Sequence, residues 1–240
     1  MKTVVISQPM FFPWVGMFEQ LRLADIYIHY DDVQYSKGSF TNRVQIKTSQ
    51  GVRWLTVPLH QLKLGQTIQE VRIDSQTDWR TQHLGLLKNA YAGAPYLEEM
   101  LHVARSVYDQ KLETISELSV ASMDAVLNYF RFDHPLEIHW SSRTPLSSSS
   151  SERVLAYVLH FQGTRYVTGH GARNYLDHEL FERQGLQVEY MNYLKQPYPQ
   201  LHGEFTPFVS VLDLIANCGK SGVARFASGT IPWKQMLATQ

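Results

Sequence analysis

Cysteine is almost absent, with Cys218 the single thiol in 240 residues. One thiol cannot close an internal disulfide or build a cysteine-based zinc site, so a reducing compartment is the expected home. Net charge is also missing: Lys+Arg and Asp+Glu stand at 22 each. That balance removes the global positive field that draws a chain to nucleic acid or to an anionic membrane, and nucleic acid is not an expected partner. No apolar run approaches the roughly 18 residues needed to span a bilayer, so no membrane span is expected. The opening run Thr3-Val4-Val5-Ile6 is broken by Ser7-Gln8-Pro9 and again by Pro13, and no small-x-small cleavage site follows. It reads as a buried first strand rather than a signal peptide, and the expected location is the cytoplasm. No His or carboxylate sits at recognised metal-ligand spacing, so no metal site is expected, and no cofactor is legible. The serine run from Ser147 to Ser151 has no glycine elbow, leaving Ser-His-Asp hydrolysis without local support.

What is present is a chain 44% hydrophobic and 18% charged, with 13 Tyr, 11 Phe and 5 Trp, which implies a thick core and some aromatic-lined surface. Strand-like Thr3–Ser7, a short helical spacing from Gly16 to Ala24 and strand-like Ile26–Tyr30 form a βαβ unit, and such units imply a parallel sheet. Arg53–Val57 and Ile68–Ile73 read as two further strands joined by a loop, a hairpin-like addition to the sheet. Residues 79–132 carry helical periodicity in three pieces, set by Leu84, Leu87 and Tyr91, then Leu97, Leu101, Ala104 and Tyr108, then Leu112, Ile115, Leu118 and Val126. No linker isolates them. Leu136–Trp140 returns to strand, and a serine N-cap then opens a helix through Val154, Leu155 and Val158. Strand Arg165–Thr168, turn Gly169-His170-Gly171, a helix over about Arg173–Gln184 and strand Leu186–Tyr190 make a second βαβ half. The expected architecture is one α/β domain spanning 1–240, a Rossmann-like, mostly parallel sheet with an inserted helical subregion at about 79–132.

Ligands of open parallel sheets bind at the carboxyl ends of the strands. Strand one delivers Ser7 and Gln8 to that rim, and strand two delivers Asp31, Asp32, Gln34, Tyr35 and Lys37. The later strands deliver Thr168 and His170, then Asn192 and Tyr193. Asp31-Asp32 is the sharpest feature. Adjacent carboxylates at a strand end cannot share a face, so one is expected inward and one outward. Either they act as a general base or substrate clamp, with Lys37 and Arg43 holding an anion, or they cap a helix or pair with Lys37 or Arg43 structurally. Asn42-Arg43 offers an anion fork, set against an exposed surface arginine. Pro13 reads as a packing corner, while Trp14 is either a stacking wall or part of that corner. His170 sits in what is either a tight turn or a substrate contact. Cys218 closes a helix, where the dipole raises a thiol pKa, and is not read as a nucleophile. The aromatic segment Tyr190–Tyr198 either lines a pocket or covers the core, with core cover the favoured reading.

Ser7-Gln8-Pro9-x-Phe11-x-Pro13-Trp14-x-Gly16, Asp31-Asp32-Val33-Gln34-Tyr35-x-Lys37 and Asn42-Arg43 resemble the WbqC-like family. Leu55-Thr56-Val57-Pro58, Gly169-x-Gly171-Ala172-Arg173-x-Tyr175-Leu176 and Ser210-x-Leu212-Asp213-Leu214 extend the resemblance over nearly the whole chain. It implies a bacterial biosynthetic enzyme of surface-sugar (O-antigen) or natural-product pathways. The leading expectation is a transferase that moves an acyl or aminoacyl group onto an amino sugar or similar amine, forming an amide. Catalysis is expected from Asp31, Asp32, Lys37, Asn42 and Arg43, and substrate binding from Gln8, Trp14, Tyr35, His170 and Tyr175. The expected partners are a small-molecule substrate, such as a nucleotide-linked amino sugar, and a donor such as an acyl thioester. Two alternatives stand beside it. One is a nucleotidyltransferase-like enzyme, although no histidine lies at Pro13–Gly16 where that chemistry needs its phosphate-binding imidazoles. The other is a non-catalytic protein that binds a sugar intermediate through Trp14, Tyr35 and the Tyr190–Tyr198 segment.

Overall fold

A computed structural model describes residues 1–132, 135–226 and 229–238. In chain order the elements are β1 (Thr3–Ser7), α1 (Val15–Arg22), β2 (Ile26–His29), β3 (Arg43–Thr48), β4 (Gly51–Thr56), α2 (Trp79–Ala90), α3 (Leu97–Tyr108) and α4 (Ile115–Phe130). There follow β5 (Glu137–Trp140), α5 (Ser150–His160), β6 (Arg165–Thr168), α6 (His178–Glu182), β7 (Gln187–Asn192), α7 (Val211–Cys218), β8 (Gly229–Pro232) and α8 (Trp233–Ala238).

Six strands form one sheet in the order β5-β2-β1-β6-β7-β8. Val4 pairs with Ile26 on one side of β1 and with Tyr166 on the other, both in parallel register. β5 joins β2 and β7 joins β6, again parallel, whereas β8 closes one edge antiparallel to β7. Because successive residues of a strand point to opposite faces, a strand buried on both sides is apolar throughout. β1 shows this: Val5 enters the larger core, with α1, α3, α4 and α7, while Val4 and Ile6 enter the second, with α5 and Phe181 of α6. Tyr27 and the Ile26/Ile28 pair divide β2 in the same way. The fold is α/β and Rossmann-like, with helices on both faces of a mostly parallel sheet, and the three expected helices between Trp79 and Phe130 are present.

Several local expectations are corrected. β4 pairs not with Ile68–Ile73 but with Arg43–Thr48, and the two strands form a separate two-stranded sheet rather than an extension of the main one. Val44 and Ile46 alternate inward along β3, and Gly51, at φ +96°, supplies the left-handed residue that the tight reversal needs. Ile68–Glu70 is a 3₁₀ turn, closed by the Glu70 carboxylate accepting from the Thr67 N–H at 2.8 Å. The helix expected from Arg173 begins only at His178. A 3₁₀ turn occupies His170–Asn174, and the Asp177 carboxylate then caps α6 by accepting from the Leu180 N–H at 3.0 Å. β8 and α8 had no counterpart in the sequence reading.

Candidate active-site crevice

The strand order reverses between β1 and β6. From β1 the chain leaves to α1 on one face of the sheet, and from β6 it leaves toward α6 on the other. Loops that part in this way leave a crevice beyond the carboxyl ends of the two strands. Here it is a cavity of about 880 Å³. Its floor is Ser7 and Gln8 after β1 and Thr168, Gly169 and His170 after β6. Tyr30 and Val33 after β2 line it too, as do Ser150 and Val154 of α5, Tyr175, and Asn192, Tyr193 and Lys195 after β7.

One wall is aromatic. The Trp14 ring lies 4.8 Å from Tyr193 and 5.4 Å from Phe208, centroid to centroid. Gly16 makes this possible, since a Cβ there would sit 2.2 Å from an indole carbon. Lys195 holds a left-handed backbone, φ +48°, and its ammonium lies 4.9 Å from the centre of the Phe208 ring. Among the described residues it is the only Lys, Arg, Asp or Glu on the cavity lining.

His170 is fixed more tightly. Its Nε2 lies 2.6 Å from the Met191 carbonyl oxygen, and its ring is 5.4 Å from that of Tyr193. A carbonyl only accepts, so Nε2 carries the hydrogen and the neutral ring keeps its lone pair on Nδ1. Tyr30, on the opposite side, is braced from behind. The Arg153 guanidinium lies 5.2 Å from its ring centre and is itself ion-paired with Asp32. Burial is the main cause raising the Tyr30 phenol above its ordinary pKa, partly offset by Arg153.

Of the expected substrate-binding residues, Gln8, Trp14, His170 and Tyr175 line the crevice. Tyr35 does not: its hydroxyl donates to Asn42 Oδ1 at 2.7 Å, and Asn42 Nδ2 donates to the Val57 carbonyl at 2.9 Å, so the pair ties strand ends together. The five residues expected to be catalytic are not brought together there, and none lines the cavity. Asp31 is buried and accepts from Ser141 Oγ at 3.2 Å, the Ser142 N–H at 3.0 Å and Ser142 Oγ at 2.8 Å, capping the turn after β5. Asp32 accepts from the same Ser141 Oγ at 2.6 Å and pairs with Arg153. The two carboxylates therefore converge on one hydroxyl instead of pointing to opposite faces. This is possible because β2 ends at His29 and the chain is no longer pleated beyond it. Lys37 is exposed, and Arg43 donates to the Gly38 carbonyl while stacking 4.2 Å over the Trp54 ring. Lys195 and Phe208, which sequence reasoning missed, lie on loops with no motif, and the strand that aims Lys195 is the only signal that pointed toward it. Of the expected core-cover segment, Tyr190 and Tyr198 are buried, but Tyr193 faces the cavity.

A model of the WbqC-like protein family matches residues 8–225. The chain belongs to the WbqC-like protein family. A Mycobacterium tuberculosis relative, uncharacterized protein Rv1507c, is 35% identical over 222 residues, covering 91% of this chain and 95% of its own length. No solved structure matches the chain. The WbqC-like match begins at Gln8 and takes in Trp14, His170, Lys195 and Phe208, so most of the crevice lies inside it. Among the described residues, no group of three His, Cys, Asp or Glu side chains is placed to hold a metal ion, and no helix is long and apolar enough to cross a membrane.

Proposed function

We propose that this WbqC-like protein is a biosynthetic group-transfer enzyme that works in the β1/β6 crevice, passing an acyl or aminoacyl group to the amine of an amino sugar or similar small molecule. The observation that carries the reading is the His170 ring, locked by the Met191 carbonyl so that a basic Nδ1 remains on a cavity wall. The amine nitrogen must shed a proton as it attacks, and an imidazole held with a free lone pair suits that task. The amine nitrogen attacks the acyl carbon of a donor such as a thioester. The ammonium first gives one proton to water; as the N–C bond forms, His170 Nδ1 takes a second proton from the nitrogen and passes it to the thiolate that departs when the C–S bond breaks. Gln8, Ser7 and Asn192 supply amide and hydroxyl donors of the kind that polarise a carbonyl as its oxygen gains charge. A cavity of about 880 Å³ has room for donor and acceptor together.

The acidic pair enters this proposal as a frame. Asp32 holds Arg153, Arg153 backs Tyr30, and Asp31 fixes the turn that presents Ser141 to both carboxylates. Incubation with nucleotide-linked amino sugars and acyl or aminoacyl thioesters, read by mass spectrometry, tests the reaction. His170→Ala should lower turnover by about 10²–10⁴-fold while sugar binding survives. A variant that turns over normally removes His170 from catalysis. Wild-type protein that binds sugars through the Trp14 wall but yields no amide across the panel points instead to a non-catalytic binding protein.

A further inference from the structure

We propose that the mouth of the crevice is a subsite for a ring bearing an anionic group, with Lys195 taking the anion and the Trp14–Tyr193–Phe208 wall taking the ring. The inference rests on the reading of the crevice as the substrate site and names the class of ligand that enters it. Three observations converge. Among the described residues the lining holds one lysine and no carboxylate, so the full charge that they present to a ligand is positive. No carboxylate forms a salt bridge with Lys195 among the described residues, so the protein does not itself neutralise this charge. Its ammonium lies 4.9 Å from the Phe208 ring, and Phe208 packs 5.4 Å from Trp14, which places the cation directly beside the aromatic wall.

These positions carry different chemistry. Aromatic faces take the apolar C–H face of a sugar or another ring, and an ammonium on a flexible stem meets a phosphate or carboxylate as a point charge. Their adjacency selects a ligand in which ring and anion are neighbours. A sugar phosphate or a sugar acid has this form, and a neutral sugar has only half of it. Asn192 and Tyr193, which follow the same strand on the lining, add an amide and a phenol for the remaining polar groups. The subsite also takes over the anion-holding role that spacing alone had given to Lys37 and Arg43.

The test compares three probes on the full chain at fixed ionic strength: glucose 1-phosphate, glucuronic acid and methyl glucoside, each titrated calorimetrically and by tryptophan fluorescence. In the wild type the two charged sugars should bind about tenfold or more tightly than the neutral one, since a charge-assisted contact is worth that ratio. Lys195→Met should remove the difference and leave methyl glucoside unchanged, and Lys195→Arg should restore it. The phosphate and carboxylate arms then identify which anion is preferred. Equal binding of all three sugars to the wild type, a charge preference that survives Lys195→Met, or no saturable signal from any probe overturns the subsite. Amide formation that is insensitive to Lys195→Met overturns the subsite and leaves the reaction standing. Charge-selective binding without any product does the reverse.

Discussion

At the scale of single residues, the site depends on a missing side chain. The Trp14 ring occupies the space that any larger residue at position 16 would need, with the nearest indole carbon 2.2 Å from where a Cβ would stand. Gly16→Ala should therefore expel the indole from the wall or strain α1, costing about 1–3 kcal/mol, as overpacking of a tight contact does. Gly85 is the control. It lies within α2 with nothing within 4 Å of an added Cβ, so Gly85→Ala should be neutral or stabilising by about 0.5–1 kcal/mol. Urea denaturation of the two variants, followed by tryptophan emission, checks both. Equal stability of Gly16→Ala and Gly85→Ala would show that the ring is not held where it is described. The sequence displayed Pro13-Trp14-Val15-Gly16 openly. It left undecided whether Trp14 packs or stacks, and the structure shows that the ring does both: it covers Gly16 and faces the cavity.

Among the elements, the segment from Tyr193 to Val209 joins β7 to α7 without helix or strand and borders the crevice. Both its ends reach the cavity through Tyr193, Lys195 and Phe208, and its middle is pinned by β3. The buried ammonium of Lys47 donates to Gln200 Oε1 at 3.3 Å, to the Gly203 carbonyl at 3.0 Å and to the Glu204 carbonyl. Asp213 lies near the same cluster, its carboxyl pushed above the ordinary range chiefly by burial. Gln200 Oε1 keeps the Thr206 N–H at 2.8 Å, but loss of the buried donor takes its hydrogen bond from the Gly203 and Glu204 carbonyls, at about 1–3 kcal/mol. Lys47→Met should thus speed amide hydrogen exchange across residues 195–208 and loosen the aromatic wall, while β1 and β6 keep their protection. Unchanged exchange in that stretch would free the segment from Lys47.

β1, β2 and β6 were readable in the sequence because buried parallel strands are largely apolar runs, the edge strand β5 because Ile138 and Trp140 alternate with Glu137 and His139, and α2 to α4 because their apolar spacing is helical. β3 was not, since Arg43-Val44-Gln45-Ile46-Lys47 alternates with charged residues at both ends and looks like a polar loop. The crevice followed from strand ends alone. The fate of Asp31 and Asp32 did not, because their partners Ser141, Ser142 and Arg153 lie more than a hundred residues away and carry no signature.

For the whole molecule, buried histidines set the response to acid. His83 is held between the Tyr108 hydroxyl and the Thr56 carbonyl, and burial pushes its pKa down to about 4. His29, buried at the end of β2, is pushed down to about 3. Both are neutral when folded and protonate near pH 6.5 when unfolded, so between pH 6.5 and 4 the unfolded chain binds more protons and stability falls as pH falls. Asp124 opposes this: burial raises its carboxyl to about 6, so over roughly pH 4 to 6 the folded state holds the extra proton. Asp213, also raised by burial, acts with Asp124, and His178, lowered chiefly by burial, acts with His29 and His83; three histidines outweigh two carboxyls, and the protein should be less stable at pH 5 than at pH 7. His83→Gln should flatten that slope, and denaturant midpoints at both pH values measure it. A slope that steepens would reverse the assignment.

β1 sits at the middle of the sheet, yet its two neighbours are far apart along the polypeptide: β2 begins at Ile26 and β6 at Arg165. A ribosome has therefore threaded out two-thirds of the message before the second neighbour exists, while the first βαβ unit and the three helices have had time to settle. Until then Val4 and Ile6 present an unpaired edge, and the two lips of the crevice have not met. Any nascent or prematurely ended product stopping short of residue 165 would thus be an aggregation hazard carrying the Trp14 motif intact but no pocket beside it.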